Sequence, residues 1–248
     1  MSTAGRAQEL RRIAGDAWRF RRRVELEAHA RFRRLEEQLA AVGAAPDIVA
    51  LAARSARDEA RHAERCAEWA REYGEHDPAP APLAAAEIAP AGLSLRGRVL
   101  YELVAACCIT ETESMAVLTT LLDAAPRGRM RRTLQELAAD EVHHSRLGWA
   151  HLASEYRQGV TSFLSPLVPA MLRGSMERGL FRPAPDERED AALLEHGVLP
   201  HALKREVFTH ALEEVVFPGL ESFGVDAGPA RSWLEERIAE LKVSAAAP

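Results

Sequence analysis

Cysteine is scarce in this chain of 248 residues: only Cys66, Cys107 and Cys108 occur, and no two have Cys-x-x-Cys spacing. That excludes a disulfide framework and a thiolate zinc site as organising devices, and it suits a reducing compartment. Aromatic residues make up only 6% of the chain, and lysine is confined to Lys204 and Lys242. No stretch of about 20 consecutive apolar residues is evident, which argues against a membrane span, and the charged amino terminus lacks the apolar run of a secretory signal. The expectation is a soluble, cytoplasmic protein with no membrane association. A formal net charge of −5 gives no general attraction for nucleic acid. The first helix is locally basic from Arg19 to Arg34, but Glu25, Glu27, Glu36 and Glu37 share it and can pair along it, so a solvated face is expected.

Alanine, leucine, arginine and glutamate dominate what is present, and all four favour helix. Breaks fall at Gly43-Ala44-Ala45-Pro46 and Pro126-Arg127-Gly128, and Pro78, Pro80, Pro82 and Pro90 exclude continuous helix between 74 and 94. Long helices are therefore predicted over residues 4–42, 47–73, 95–124 and 129–156. The two short turns make antiparallel hairpins, and the proline-rich stretch is long enough to cross the length of a bundle. The fold class expected is all-α: a four-helix bundle over 1–157, with further helices over 158–248 packed on it in the same domain. In that second part a kinked helix is predicted over 160–178, an acidic one over 186–195, and others over 200–223 and 230–243. This region suits a pocket wall, a homodimer interface or completion of the core, the last two being the plainer readings.

Two segments echo one another: Asp58-Glu59-Ala60-Arg61-His62 and Asp140-Glu141-Val142-His143-His144. Each places a Glu and a His three residues apart, on one helix face, where both can reach the same ion. A dinuclear site in a bundle also needs one inward Glu from each of the other two helices. At about 100° per residue, Glu25 falls on the face of Ala14, Trp18, Ala28, Phe32, Leu35 and Leu39, whereas Glu27 points to water. Glu111 likewise falls on the stripe of Leu100, Leu103, Val104, Cys107, Ser114, Met115, Leu118 and Leu122. Glu59 and His62 share a seam with Ala52, Ser55, Cys66 and Trp69, and Glu141 and His144 share one with Leu134, Leu137, Gly148 and His151. The plain alternative is a set of surface ion pairs with two hydrogen-bonded core histidines. A carboxylate centred on an apolar stripe is costly unless paired, so the metal reading is the stronger.

The set Glu25, Asp58-Glu59-x-Arg61-His62, Glu111 and Asp140-Glu141-x-x-His144 resembles the ligand pattern of the ferritin-like non-haem diiron carboxylate superfamily. The first motif has the Asp-Glu-x-Arg-His form of bacterial diiron monooxygenases and ribonucleotide reductase small subunits; the second has His143 in place of the Arg. The resemblance spans roughly residues 14–156 and implies two iron ions, with manganese as the alternative, held by Glu25, Glu59, His62, Glu111, Glu141 and His144. It further implies an oxidoreductase that takes dioxygen, a small organic substrate and an external electron donor. Ferroxidase-type iron handling and peroxide removal are the alternatives within the same superfamily, and a metal-free binding bundle lies outside it.

Around the ligands, Asp58 and Asp140 are candidates to accept from the free ring nitrogen of a ligating histidine, including the one on the opposing helix. His151, two turns beyond His144 on the same seam, is about 10 Å along the axis and too far to share its metal; it suits a hydrogen-bonded core histidine or a pocket residue. His29 is expected at a helix edge, His143 in solvent, Cys107 as a small core residue, and Tyr101 off the inner stripe.

Overall fold

A computed structural model describes residues 2–75, 86–125, 127–176 and 179–246. The described residues are helical with no strand. Four long helices lead the chain: α1 (Thr3–Ala41), α2 (Pro46–Glu72), α3 (Leu95–Ala124) and α4 (Arg129–Tyr156). Local chemistry sets their ends. The Ser2 and Ser94 side chains cap α1 and α3 by accepting from the amides of Gly5 and Gly97. Gly43, at φ +73°, ends the first hairpin's turn in a conformation other residues resist, and Pro46 supplies the preset φ that opens α2.

Helices α1 and α2 pack along their lengths, α3 packs on α4, and α2 also lies against α4. His29 Nδ1 meets the Ala56 carbonyl at 2.6 Å, which fixes the register of the first hairpin. It brings Glu59 close to the level of Glu25, nearer than loop counting suggested. The second and third helices are joined through residues 76–85, which with Pro126 fall outside the described residues, so the expected crossover path and the second turn's proline do too.

Apolar packing leaves one band of the helices unfilled. On one side Phe32, Leu35, Leu39, Ile48, Ala52, Leu103 and Leu147 form a cluster; on the other Trp18, Cys66, Trp69, Leu118, Leu121, Leu134 and Leu137 form a second. Between them in sequence on every helix lie the acidic and histidine positions 25, 59, 62, 111, 141 and 144. Leu121 takes the core position expected of Leu122, which is half-buried.

Helix α3 is not uniformly wound. Val104–Thr110 forms a π-helical segment whose surplus carbonyl, that of Ala105, accepts from the Thr110 hydroxyl at 3.0 Å. Glu111 is the first residue after it. Gly148 of α4 packs on this segment so tightly that a Cβ there would lie 2.5 Å from Cys107 Cβ and 3.0 Å from the Cys108 amide nitrogen.

The outer face of α3 is also buried. Leu100, Tyr101, Val104, Ala105, Cys108 and Ile109 pack on Leu164, Val168, Leu172, Phe208, Leu212, Phe217 and Trp233 from the last third of the chain. This two-sided burial explains why α3 is long and apolar enough to cross a membrane by composition, which the sequence reading had not recognised; half of its most apolar window is buried within the protein. Tyr101 thus faces the carboxy-terminal region.

That region is less regular than expected. In place of one kinked helix over 160–178 there is a 3₁₀ segment, Ser162–Leu167, running into α5 (Val168–Ser175). The acidic stretch forms two 3₁₀ turns, Asp186–Arg188 and Ala191–His196. Prolines 166, 169, 183 and 185 remove amide donors that longer helices would need. Helix α6 begins at His201–Ala211 and continues to Ser222 through a π turn at Leu212–Val216, and α7 covers Gly228–Ala246.

Candidate metal centre

Two groups of donor atoms, each mutually within 4.8 Å, form at the polar band: Glu25, Glu59 and His62, and Glu59, Glu111 and His144. Glu59 belongs to both. Glu141 joins them, with Oε2 3.0 Å from His144 Nδ1 and Oε1 4.0 Å from His62 Nδ1. All six sequence-derived candidates therefore converge. Glu59, His62, Glu111, Glu141 and His144 are buried, and Glu25 is half-buried.

The two imidazoles are set in the same way. Nδ1 of His62 faces Glu59 Oε2 at 3.4 Å, and Nδ1 of His144 faces Glu59 Oε1 at 3.2 Å. Each Nε2 points to the Asp of the opposite motif: His62 to Asp140 at 3.3 Å, and His144 to Asp58 at 3.6 Å. Arg61 joins the two acids, 2.8 Å from Asp58 Oδ1 and 2.9 Å from Asp140 Oδ2. This crossed bracing fixes which ring nitrogen faces inward. Phe32 packs on His144 at 5.5 Å between ring centroids, and the two imidazoles are 5.6 Å apart.

Burial and close approach of like charges shape the electrostatics of this centre. Burial, followed by the neighbouring Glu59, pushes the Glu25 carboxyl well above its ordinary value, and burial with Glu141 and Glu59 does the same to Glu111. Burial alone would raise Glu59, but the two histidines outweigh it and hold its carboxyl well below the usual range. Burial would lower His144; Asp58, Glu141 and Glu59 together raise it instead, and Glu59 raises His62 against its burial. Asp58 is held low, against its burial, by His144 and Arg61.

Donor types and unsatisfied atoms both fit a divalent metal pair. Glu59 Oε2 and His62 Nδ1 are buried without a hydrogen-bond partner, although they face one another across the centre. Four carboxylates and two imidazoles are oxygen and borderline nitrogen donors of the kind that suit iron or manganese, and two divalent ions would neutralise the four carboxylates.

Comparison of the chain with family models, with curated proteins and with solved structures returned no match. The centre therefore rests on its own geometry.

Other candidates resolve differently. His151 is buried two turns away, with its Nε2 3.8 Å from Glu155 Oε1 and without a hydrogen-bond partner, so it does not touch the centre. Glu155 is instead paired with Arg96 at 2.6 Å. His143 is half-buried. Cys107 is a buried core residue, as its spacing suggested. The basic face of α1 is partly paired along the helix, as in Arg23 with Glu27 and Arg33 with Glu36.

Sequence reasoning missed three contributors. Ser114 donates to Glu141 Oε1 at 3.2 Å, Arg61 spans the two helices, and Gly148 sets the approach of α3 to α4. The Arg61 of the Asp-Glu-x-Arg-His motif was a signal in plain view. Outside the centre, an open cleft of about 410 Å³ between α2 and α4 is lined by Arg61, His62, Arg65, Glu136 and Asp140.

Proposed function

We propose that this chain is a ferritin-like, non-haem diiron carboxylate oxidoreductase that uses dioxygen to oxidise a small organic molecule. The observation that carries the reading is the crossed pair of Glu-x-x-His motifs, whose two inward Nδ1 atoms share Glu59 and Glu141. Ion pairs formed only for stability have no need of two equivalent imidazoles aimed at shared buried carboxylates. Glu25, Glu59, His62, Glu111, Glu141 and His144 would hold two iron ions, or two manganese ions. Iron in this donor set supplies redox chemistry with dioxygen.

The chain's own residues do the rest. Asp140, hydrogen-bonded to His62 Nε2 at 3.3 Å, would keep that ring's proton on Nε2, and Asp58 faces the same atom of His144 from 3.6 Å, so that each Nδ1 would be left to bind. Arg61 holds the two aspartates in register, and the Ser114 hydroxyl orients Glu141. Phe32 packs over His144, the two apolar clusters flank the carboxylates, and His62 borders the open cleft between α2 and α4. Glu25, half-buried where the other five ligands are buried, marks the side on which a small substrate would approach. Electrons would come from an external donor.

The test is metal analysis of aerobically purified protein, followed by single-turnover dioxygen uptake by the anaerobically reduced form. Two irons per chain and uptake that depends on added organic substrate are expected. Uptake driven by ferrous iron alone would assign the centre to iron handling, and two manganese ions with oxygen released from peroxide would assign it to peroxide removal. Glu59→Ala and Glu141→Ala should each abolish dinuclear loading while the protein stays helical; two metals retained in both variants would falsify the ligand assignment.

A further inference from the structure

Two helical turns from the ligands, on the side away from Phe32, four rings form a line. Trp18 and Trp69 stack with centroids 5.9 Å apart, Trp69 and Tyr73 stack at 6.3 Å, and Tyr73 meets the edge of His196 at 5.5 Å. The line starts in the core, with Trp18 fully buried and Trp69 nearly so, and ends at half-buried Tyr73 and His196. Seven residues separate Trp18 from Glu25 on α1 and Trp69 from His62 on α2, so the inner end lies roughly 10 Å along the axis from the acidic band.

Hydrogen bonds give the line a direction. The indole N–H of Trp18 donates to the His196 carbonyl at 3.0 Å, and that of Trp69 donates to the Thr133 hydroxyl at 3.1 Å. Neither acceptor is basic enough to take a proton, so an indole oxidised here stays a radical cation. Guanidinium groups stack on both, Arg21 at 4.8 Å from Trp18 and Arg129 at 4.6 Å from Trp69, and a neighbouring cation makes that state a stronger oxidant. Tyr73 differs from both. Its hydroxyl lies 3.0 Å from His196 Nδ1, which in the Nε2–H tautomer is a base that can accept the phenolic proton. Burial pushes the Tyr73 phenol up to about 12 and holds His196 below the usual imidazole range, so at neutral pH the phenol is intact and the imidazole is free to accept. Arg11, 5.2 Å from the Tyr73 ring, Glu72 and Glu195 are the charged groups that act on this pair.

We propose that Trp18, Trp69, Tyr73 and His196 form a charge relay that carries an oxidising equivalent from the core beside the metal centre to the protein surface. One electron passes from Tyr73 to the oxidised Trp69 ring, and the phenolic proton passes to His196 Nδ1. The products are neutral Trp69, a neutral phenoxyl radical on Tyr73 and an imidazolium at His196. The oxidant required is a one-electron acceptor strong enough to oxidise indole. Its supply by the centre rests on the function proposed above, whereas the ring-to-ring step does not.

The test uses the full-length, metal-free protein carrying Tyr156→Phe, which removes the exposed competing phenol. Laser photoionisation excites indole selectively, buried rings included, and transient absorption follows indolyl decay and phenoxyl growth. The expected result is phenoxyl growth matching part of the indolyl decay, abolished by Tyr73→Phe and reduced about tenfold by Trp69→Phe. His196→Leu should slow the growth and remove its solvent deuterium dependence. Absence of phenoxyl, or a yield unchanged in Trp69→Phe, overturns the relay. Metal analysis of the parent protein separates the two ideas: a chain that binds no metal yet passes the optical test keeps the relay and loses the oxygenase reading.

Discussion

Replacing Gly148 with Ala tests whether close approach of α3 and α4 sets the centre. The added methyl would fall 2.5 Å from Cys107 Cβ, 2.9 Å from Cys108 Sγ and 3.0 Å from the Cys108 backbone nitrogen. Ordinary contact begins at 3.4 Å, so the Cys107 methylene would have to retreat by about 0.9 Å, taking the π segment with it. Overpacking of this kind costs about 1–3 kcal/mol. The helix gains back ~1 kcal/mol because alanine is the better helix former. A net loss of about 0–2 kcal/mol lowers Tm by up to roughly 8 °C in a chain of this size. Glu111 follows the π segment directly and His144 lies one turn before Gly148, so the same displacement separates the donors of the Glu59, Glu111 and His144 group. Calorimetry and anaerobic ferrous titration on one sample read both effects: a lower Tm and a weakened second equivalent of metal, with the first largely kept. Gly174→Ala is the control, since a Cβ there meets nothing within 4 Å. A Gly148→Ala protein as stable as the parent, with both equivalents bound unchanged, would refute the reasoning.

Asp58→Asn and Asp140→Asn should each weaken metal binding by about 10–100-fold, because an outer carboxylate that holds a ligating imidazole is removed; equal affinity by titration would sink the crossed bracing. Arg34→Ala leaves Glu102, only 2% exposed, without its cation inside the protein, a loss of about 3 kcal/mol by urea denaturation. A loss under about 1 kcal/mol would mean the pair behaves as a surface one. Metal-free protein should be most stable in mildly acidic solution. Glu25, Glu111, His62 and His144 have folded pKa values above their unfolded ones, so their contribution is complete below the unfolded values and is lost as pH rises through the folded ones. Glu59 and Asp58 are depressed, so theirs is present above the ordinary carboxylate range and is lost as pH falls through the folded values. Scans of Tm against pH should show this maximum, and bound ferrous or manganous ion should remove the decline on the alkaline side; a flat metal-free profile would count against the protonated centre.

The candidate ligands were legible because a carboxylate on an apolar stripe has few reasons to be there, and helical phase places Glu25 and Glu111 on such stripes from composition alone. The four long helices were legible from their breaks at Gly43–Pro46 and Gly128 and from two-turn periodicity. The π segment left no comparable trace: Val104–Thr110 reads as ordinary apolar helix, and the extra residue per turn is accommodated by contacts with Gly148, far away in sequence. The 3₁₀ turns after residue 160 were missed because their buried apolar residues, Leu164 and Leu193, are placed by packing on other elements and follow no period of their own. Arg61 stood in the motif, but whom a long side chain reaches on another helix is decided by interhelical distance, which spacing along one helix does not contain.

The exchange of aspartates between the two motifs means that neither hairpin is self-sufficient. The α1–α2 pair contributes Glu59 and His62 but borrows Asp140 to steer its imidazole, and the α3–α4 pair borrows Asp58 for His144. A hairpin docked a single turn out of place would lose its own ligands' alignment and, at the same moment, its partner's. Under the proposed function, capture of a first ion would therefore proofread the assembly of the halves, because an error in either is felt at both histidines.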